Sequence, residues 1–165
     1  MKHTFWIYKN ENFNFGLEKI PISIEEIEEK GDKNKGYIIL KSKDQLDDVY
    51  ESNVKIEINW ETIERVSYHH GKAVNNSIKI FNSLDVSILK KETYWVQNHE
   101  CTIWWGSKKD LIKQRVYPVN ILHSIIYCEF TERLFEIHAS ISSKFFPNYE
   151  SLIIEMMKKI NCHDV

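Results

Sequence analysis

The segment HSIIYCEFTERLFEIHASIS, residues 123 to 142, constrains this chain more than any other. Two apolar runs flank the polar turn Thr131-Glu132-Arg133, which is the pattern of a β-hairpin. In its second arm Phe135, Ile137, Ala139 and Ile141 fall on one face, and Glu136, His138 and Ser140 on the other. A helix signal follows almost at once. Pro147 and Asn148 suit a helix start, and Tyr149, Leu152, Ile153, Met156 and Ile160 form an apolar stripe. Glu150 near the beginning and Lys158 and Lys159 near the end complement the helix dipole. A half-apolar hairpin joined to an amphipathic helix buries both apolar faces by packing the helix on a sheet.

The rest of the chain extends that sheet. Residues 54 to 60, VKIEINW, alternate strictly, with Val54, Ile56, Ile58 and Trp60 on the apolar face. YIILKS, residues 37 to 42, reads as a strand, and Phe5 to Tyr8 pairs with Phe13, Phe15 and Leu17 about KNEN. In KAVNNSIKIFNSL, Val74, Ile78 and Phe81 recur at helical spacing, which predicts a helix over 72–83. Strands return from 85 to 106, broken at QNHE. Residues 107 to 120 are polar, contain Pro118 and are expected to form a loop. Glu25, Glu26, Glu28 and Glu29 read as the solvated face of a short helix over 23–30, and Asp44, Asp47, Asp48 and Glu51 as a second acidic cluster. With 165 residues, 42% hydrophobic and 28% charged, the chain suits one domain over 1–165 that needs neither disulfide nor metal to build a core.

QNHECTIWWGS, residues 97 to 107, poses a packing problem. If it is a strand, His99, Cys101, Ile103 and Trp105 share one face and Glu100, Thr102 and Trp104 the other. A sheet covered on one side leaves Trp104 exposed; a sheet covered on both sides buries it. A bulge near Asn98 would exchange the two faces.

VQNHECTIWW and RLFEIHASISSKFFPNYESLIIEMMKKI together resemble a family of sandwiches shared by the photosystem protein PsbP, the Ran-binding Mog proteins and prokaryotic relatives. Asn98 stands where that family often has Gly, and its N-terminal Pro-x-x-Trp opening is not evident in residues 1 to 24. The resemblance implies an α+β fold: a central antiparallel sheet with helices packed on both faces, closed by a C-terminal hairpin and a C-terminal helix. It carries no catalytic motif, because members of one fold do different things.

Candidate chemistry is sparse. His99 and Cys101, two apart on one strand face, are candidate metal ligands, and Cys128, His138 and the pair Cys162 and His163 are the available complements. No Cys-x-x-Cys or His-x-x-x-His spacing accompanies them, and Cys128 alternates with Ile126 and Phe130 as a core thiol does. No cofactor is expected. The Gly71-Lys72 pair fails as a phosphate loop, with Val66 at the earlier glycine position and Ala73 where Ser or Thr is required; His69 and His70 read as an exposed turn. Asp32 and Asn34 open like a calcium loop, but Tyr37 and Lys43 occupy the required Gly and Glu positions, leaving a turn.

The expected function is a non-enzymatic binding or adaptor module that uses aromatic and acidic surface, with Trp104, Trp95, Tyr94 and Glu100 as the binding candidates and Trp6, Tyr8 and Tyr127 as further strand aromatics. The partner is a protein or a small ligand, and homo-oligomers stay open. A formal charge of -2 argues against duplex nucleic acid and anionic membrane. The absence of a signal segment and three widely spaced cysteines point to the cytosol. The alternative is a metal- or thiol-dependent enzyme centred on His99 and Cys101.

Overall fold

The computed structural model describes residues 4–43 and 53–163. The acidic cluster at Asp44, Asp47, Asp48 and Glu51 lies outside the described residues. Strands β1 (Phe5–Asn10) and β2 (Phe15–Pro21) form the expected N-terminal hairpin. Then follow β3 (Ile24–Gly31), β4 (Lys35–Ser42), β5 (Val54–Thr62), helix α1 (His70–Ser83), β6 (Ser87–Val96), β7 (His99–Ile112), β8 (Arg115–Cys128), β9 (Arg133–Ser142), helix α2 (Phe146–Lys158) and the short β10 (Ile160–Asn161). Seven strands make one antiparallel sheet in the order β3-β4-β5-β9-β8-β7-β6, and β1-β2-β10 make a small second sheet. The molecule is an α+β fold: among the described residues, a large antiparallel sheet and two α-helices, the second of which runs into a short strand.

Cross-strand rows explain the main core. One row runs Trp60, Phe135, Ile126, Cys101; the next Ile58, Ile137, Ser124, Ile103; the next Ile56, Ala139, Leu122, Trp105. Large side chains thus sit beside small ones, which lets the rows interdigitate. At the end of the first row Trp60 pairs with Gly36, and a Cβ there would lie 2.3 Å from the indole, so only glycine admits the ring. Phe15, Leu17 and Ile20 of β2 and Ile153, Met156 and Met157 of α2 close over these rows as one cluster.

The alternate side chains of the same strands go elsewhere. Ile125 and Tyr127 cluster with Val74, and Trp104, Val119 and Ile121 with Ile78 and Phe81 of α1. Trp104 is fully buried, its indole N–H donating to Ser77 Oγ at 3.1 Å and its ring 5.2 Å from that of Phe81. Trp105 lies in the other cluster, with Lys90 Nζ 4.3 Å from its ring centre. No bulge exchanges the faces. Gln97 and Asn98 take φ of 50° and 65° in a two-residue hairpin turn, a left-handed conformation that glycine favours and Asn tolerates.

Four expectations require correction. The acidic run at 23–30 is the edge strand β3, not a helix; an edge strand with little to bury need not alternate, and its carboxylates take tyrosines instead, Glu29 accepting from Tyr8 and Glu28 from Tyr37. Residues 107–120 are not a loop. They continue β7 and β8 around Lys113 and Gln114, a second positive-φ turn with no glycine to announce it. Pro118 is tolerated there because β9 has ended at Ser142. Its carbonyl accepts from Ser143 N at 3.1 Å on the side its missing N–H would face. Ile160 belongs to β10 and not to α2. His70 is not in an exposed turn: it starts α1 half-buried, with its ring nitrogens 2.7 Å from Tyr68 Oη and 2.7 Å from Thr102 Oγ1.

One buried cation ties the two sheets together. Arg133, at the first position of β9, is 2% exposed. Its guanidinium donates to the carbonyls of Phe13 and Asn14 in the β1–β2 turn, of Lys33 in the β3–β4 turn at 3.0 Å, and of Cys162 after β10 at 3.0 Å, and lies 4.8 Å from the ring centre of Phe135. Replacing it by methionine takes the guanidinium donors from four carbonyls, of which Cys162 keeps Thr131 Oγ1, at about 1–3 kcal/mol for each left dry without another donor. Urea denaturation of Arg133→Met should therefore show a loss of at least about 3 kcal/mol. Arg133→Lys, with three donors on a single nitrogen, should recover only part of it.

Candidate functional site

The expected binding aromatics separate. Trp104 is interior and presents no surface, which removes it as a contact residue. Trp95, on the outermost strand β6, is 75% exposed, and Glu100 opposite it on β7 is exposed too. Tyr94 is half-buried against the main core, and Lys158 of α2 places its ammonium 3.6 Å from the ring centre. Between β6 and α2 runs an open groove of about 680 Å³, lined by Tyr94, Trp95, Val96, Ile154 and Lys158 among others. Trp6 packs at the edge of the main core and donates to the Ile24 carbonyl at 2.8 Å, while Tyr8 and Tyr127 are buried. A second cleft, of about 440 Å³, lies between Tyr37, Asn59, Trp60, Leu134 and Glu136.

His99 and Cys101 also part company. They share the inward face, as alternation requires, yet Cys101 continues into the core row with Ile126. Burial pushes its thiol up to about 12, which leaves it an inert hydrophobe. His99, at the first position of β7, instead meets Cys128, Cys162 and His163. One ligand atom from each lies within 4.8 Å of every other. Cys128 is the last residue of β8, and Cys162 and His163 follow β10 directly. Both Cys128 Sγ and Cys162 Sγ are 3.4 Å from His163 Nδ1. His138, the other complement considered, is elsewhere.

The electrostatics of this cluster favour a thiolate. An ionised Cys128 accepts from Cys162, Thr131 and His163, which holds its thiol well below the ordinary range despite burial. Cys162 is pushed up, because its thiol hydrogen is engaged by that sulfur and it is buried. Arg133 acts on both sulfurs as a nearby positive charge. His99 is 3% exposed and neither of its ring nitrogens has a hydrogen-bond partner. Phe130, 76% exposed, lies edge-on to His99 at 5.8 Å and 4.7 Å from the His163 ring. Only His99 among these was readable as a leading candidate, since the set draws on three distant stretches and has no local spacing.

The sheet also carries a histidine pair, His123 buried and His138 half-buried, that sequence reasoning did not find. His123 Nδ1 and His138 Nδ1 are 2.9 Å apart, with Trp104 stacked on His123 and Phe81 on His138. The contact needs one nitrogen to accept, so both rings cannot be imidazolium. Burial first, then His123, Lys108 and Lys55, holds His138 down to about 3.

Solved structures with this architecture exist at very low sequence similarity. The chain superposes on the cyanobacterial PsbP, CyanoP, of Synechocystis sp. PCC 6803 with a TM-score of 0.66 and 10% identity, over 94% of this chain and 91% of that one. The Ran-binding protein Mog1p of Saccharomyces cerevisiae gives 0.66 and 12%, over 99% and 97%. A Pseudomonas aeruginosa protein of unknown function, described as a putative regulator, gives 0.55 and 11%, over 93% of each chain. No family model and no curated protein sequence matches the chain. The likeness to PsbP and Mog structures is one of fold. Among the described residues no helix is long and apolar enough to cross a membrane.

The histidine pair sets an acid dependence. Below about pH 6.5 an unfolded His138 takes up a proton that the folded one refuses down to about pH 3, so its contribution is complete above that window and lost as pH falls through it. The slope from one such group is at most about 1.4 kcal/mol per pH unit. Urea midpoints at pH 7, 6 and 5 should fall more steeply for the wild type than for His138→Gln.

Proposed function

We propose that this chain is a non-enzymatic cytosolic binding module that docks a protein partner along β6 and the β6–α2 groove. The observation that carries the reading is Trp95, three-quarters exposed on the outermost strand beside that groove. An edge strand offers an unpaired row of N–H and C=O groups to an extended segment, and a tryptophan beside it gives the segment an apolar anchor. Lys158 and Glu155 on the α2 wall add charge for register. The partition of β7 and β8 side chains between the α2 and α1 clusters supports a sheet with helices on both faces, which leaves the strand edge as the natural place to add a partner. Mog1p, of the same fold, is a Ran-binding protein, which makes a protein partner a reasonable first class to seek. Three free cysteines suit a reducing compartment.

The test is site-directed photo-crosslinking from position 89, an exposed leucine on β6, followed by titration of the captured protein. Tyr94→Ala with Trp95→Ala should weaken the complex by at least about tenfold, near 1.4 kcal/mol. Trp95→Ala alone should leave folding stability within about 0.5 kcal/mol. Undiminished affinity in the double variant would sink the proposal. A small molecule that raises the melting temperature, with no protein captured, would move the reading to a ligand binder at the cleft beside Trp60.

A further inference from the structure

We infer that His99, Cys128, Cys162 and His163 form a closed zinc site that fastens the C-terminal segment to the ends of β7 and β8. This inference is independent of the docking surface. Two thiols and two imidazoles are a complete tetrahedral ligand set for Zn²⁺, and the thiols, as thiolates, cancel its charge in a largely buried setting. Bond lengths of about 2.3 Å to sulfur and about 2.0 Å to nitrogen put tetrahedral ligand atoms about 3.3–3.8 Å apart. The two sulfurs already stand 3.4 Å from His163 Nδ1, and no pair in the set exceeds 4.8 Å, so small side-chain rotations complete the geometry.

A second observation points to a ligand. A histidine 3% exposed with both ring nitrogens unpaired is an unsatisfied polar group in the interior, and its ring lies within the cluster. A metal supplies the missing partner for one nitrogen. The surroundings fit as well. Arg133 donates to the Cys162 carbonyl at 3.0 Å and Thr131 Oγ1 to the same oxygen at 3.4 Å, fixing the backbone that carries two adjacent ligands. Phe130 covers both imidazoles. With all four positions filled by protein, no site is left for water or substrate, so the metal is structural and not catalytic.

The full chain, purified without an affinity tag, reduced and stripped with chelator, is given one equivalent of Zn²⁺ or Co²⁺ and followed by native mass spectrometry and absorption. One zinc per chain is expected, with a raised melting temperature, and the cobalt form should show tetrahedral d–d bands with thiolate charge transfer. His99→Ala and Cys162→Ser should lose stoichiometric binding, whereas Cys101→Ser and His138→Gln should keep it. Should a variant fail to fold, the cobalt spectrum of the wild type decides alone, since absent tetrahedral and thiolate bands overturn the site. Zinc held with wild-type affinity by folded His99→Ala or Cys162→Ser overturns it too. So does a Cys128–Cys162 disulfide that forms on mild oxidation at a rate zinc does not slow.

Discussion

The buried guanidinium of Arg133 is the interaction on which the assembly depends. Among the described residues its polar partners are backbone carbonyls. A charge taken from water has to be resolvated by the protein, and here the oxygens come from three turns and termini remote in sequence. Residues 13–14, 33 and 162 can converge only when β1–β2, β3–β4 and β10 are all in place. The small sheet is joined to the large one by this convergence and by the shared apolar cluster under α2. Its acceptors are neutral, and the sulfurs of Cys128 and Cys162 lie close enough to act on its charge. The arginine that closes the fold thus stands beside a cluster in which hydrogen bonds from Cys162, Thr131 and His163 hold the Cys128 thiol down while Cys162 is pushed up.

The hydrogen-bond partners within reach of each sulfur explain why the cysteine environments on β7 and β8 differ so much. Cys101 and Cys128 both sit on the inward face, one on β7 and one on β8, and both alternate with isoleucines. Cys101 is surrounded by hydrocarbon and its thiol is driven up. Cys128 is at the strand's last position, where the β8–β9 turn supplies Thr131 and the chain's end supplies Cys162 and His163. Strand periodicity distributes residues between faces; position along the strand decides which of them meets hydrocarbon and which meets polar backbone.

Much of the fold was legible for that reason, and the candidate site was not. Alternation in VKIEINW, LFEIHASIS and CTIWW placed their side chains correctly, and the stripe of Val74, Ile78 and Phe81 identified the helix whose Phe81 and Ser77 cover Trp104. The failures came where local pattern and tertiary role diverge. Lys113-Gln114 makes a tight turn with neither glycine nor asparagine, so β7 and β8 were cut short. The glutamates of β3 looked like a helix face because an edge strand has little obligation to alternate. The ligand set around His99 depends on the register of β7 against β8 and on where residues 160–163 cross, neither of which leaves a spacing signature.

The two edges of the large sheet are protected unequally, and this bears on where binding belongs. β3 carries Glu25, Glu26, Glu28 and Glu29 with Lys30, a row of charge that discourages pairing with another strand. β6 carries Lys90, Lys91 and Glu92 at its middle but leaves Leu89 and Trp95 exposed on either side. A strand kept only for structure would be expected to carry its charge throughout, because exposed tryptophan on a ten-residue edge invites association. Of the two edges, β3 is thus guarded by charge along its length, whereas β6 is guarded only at its middle and leaves a leucine and a tryptophan in reach of anything that approaches the sheet from that side.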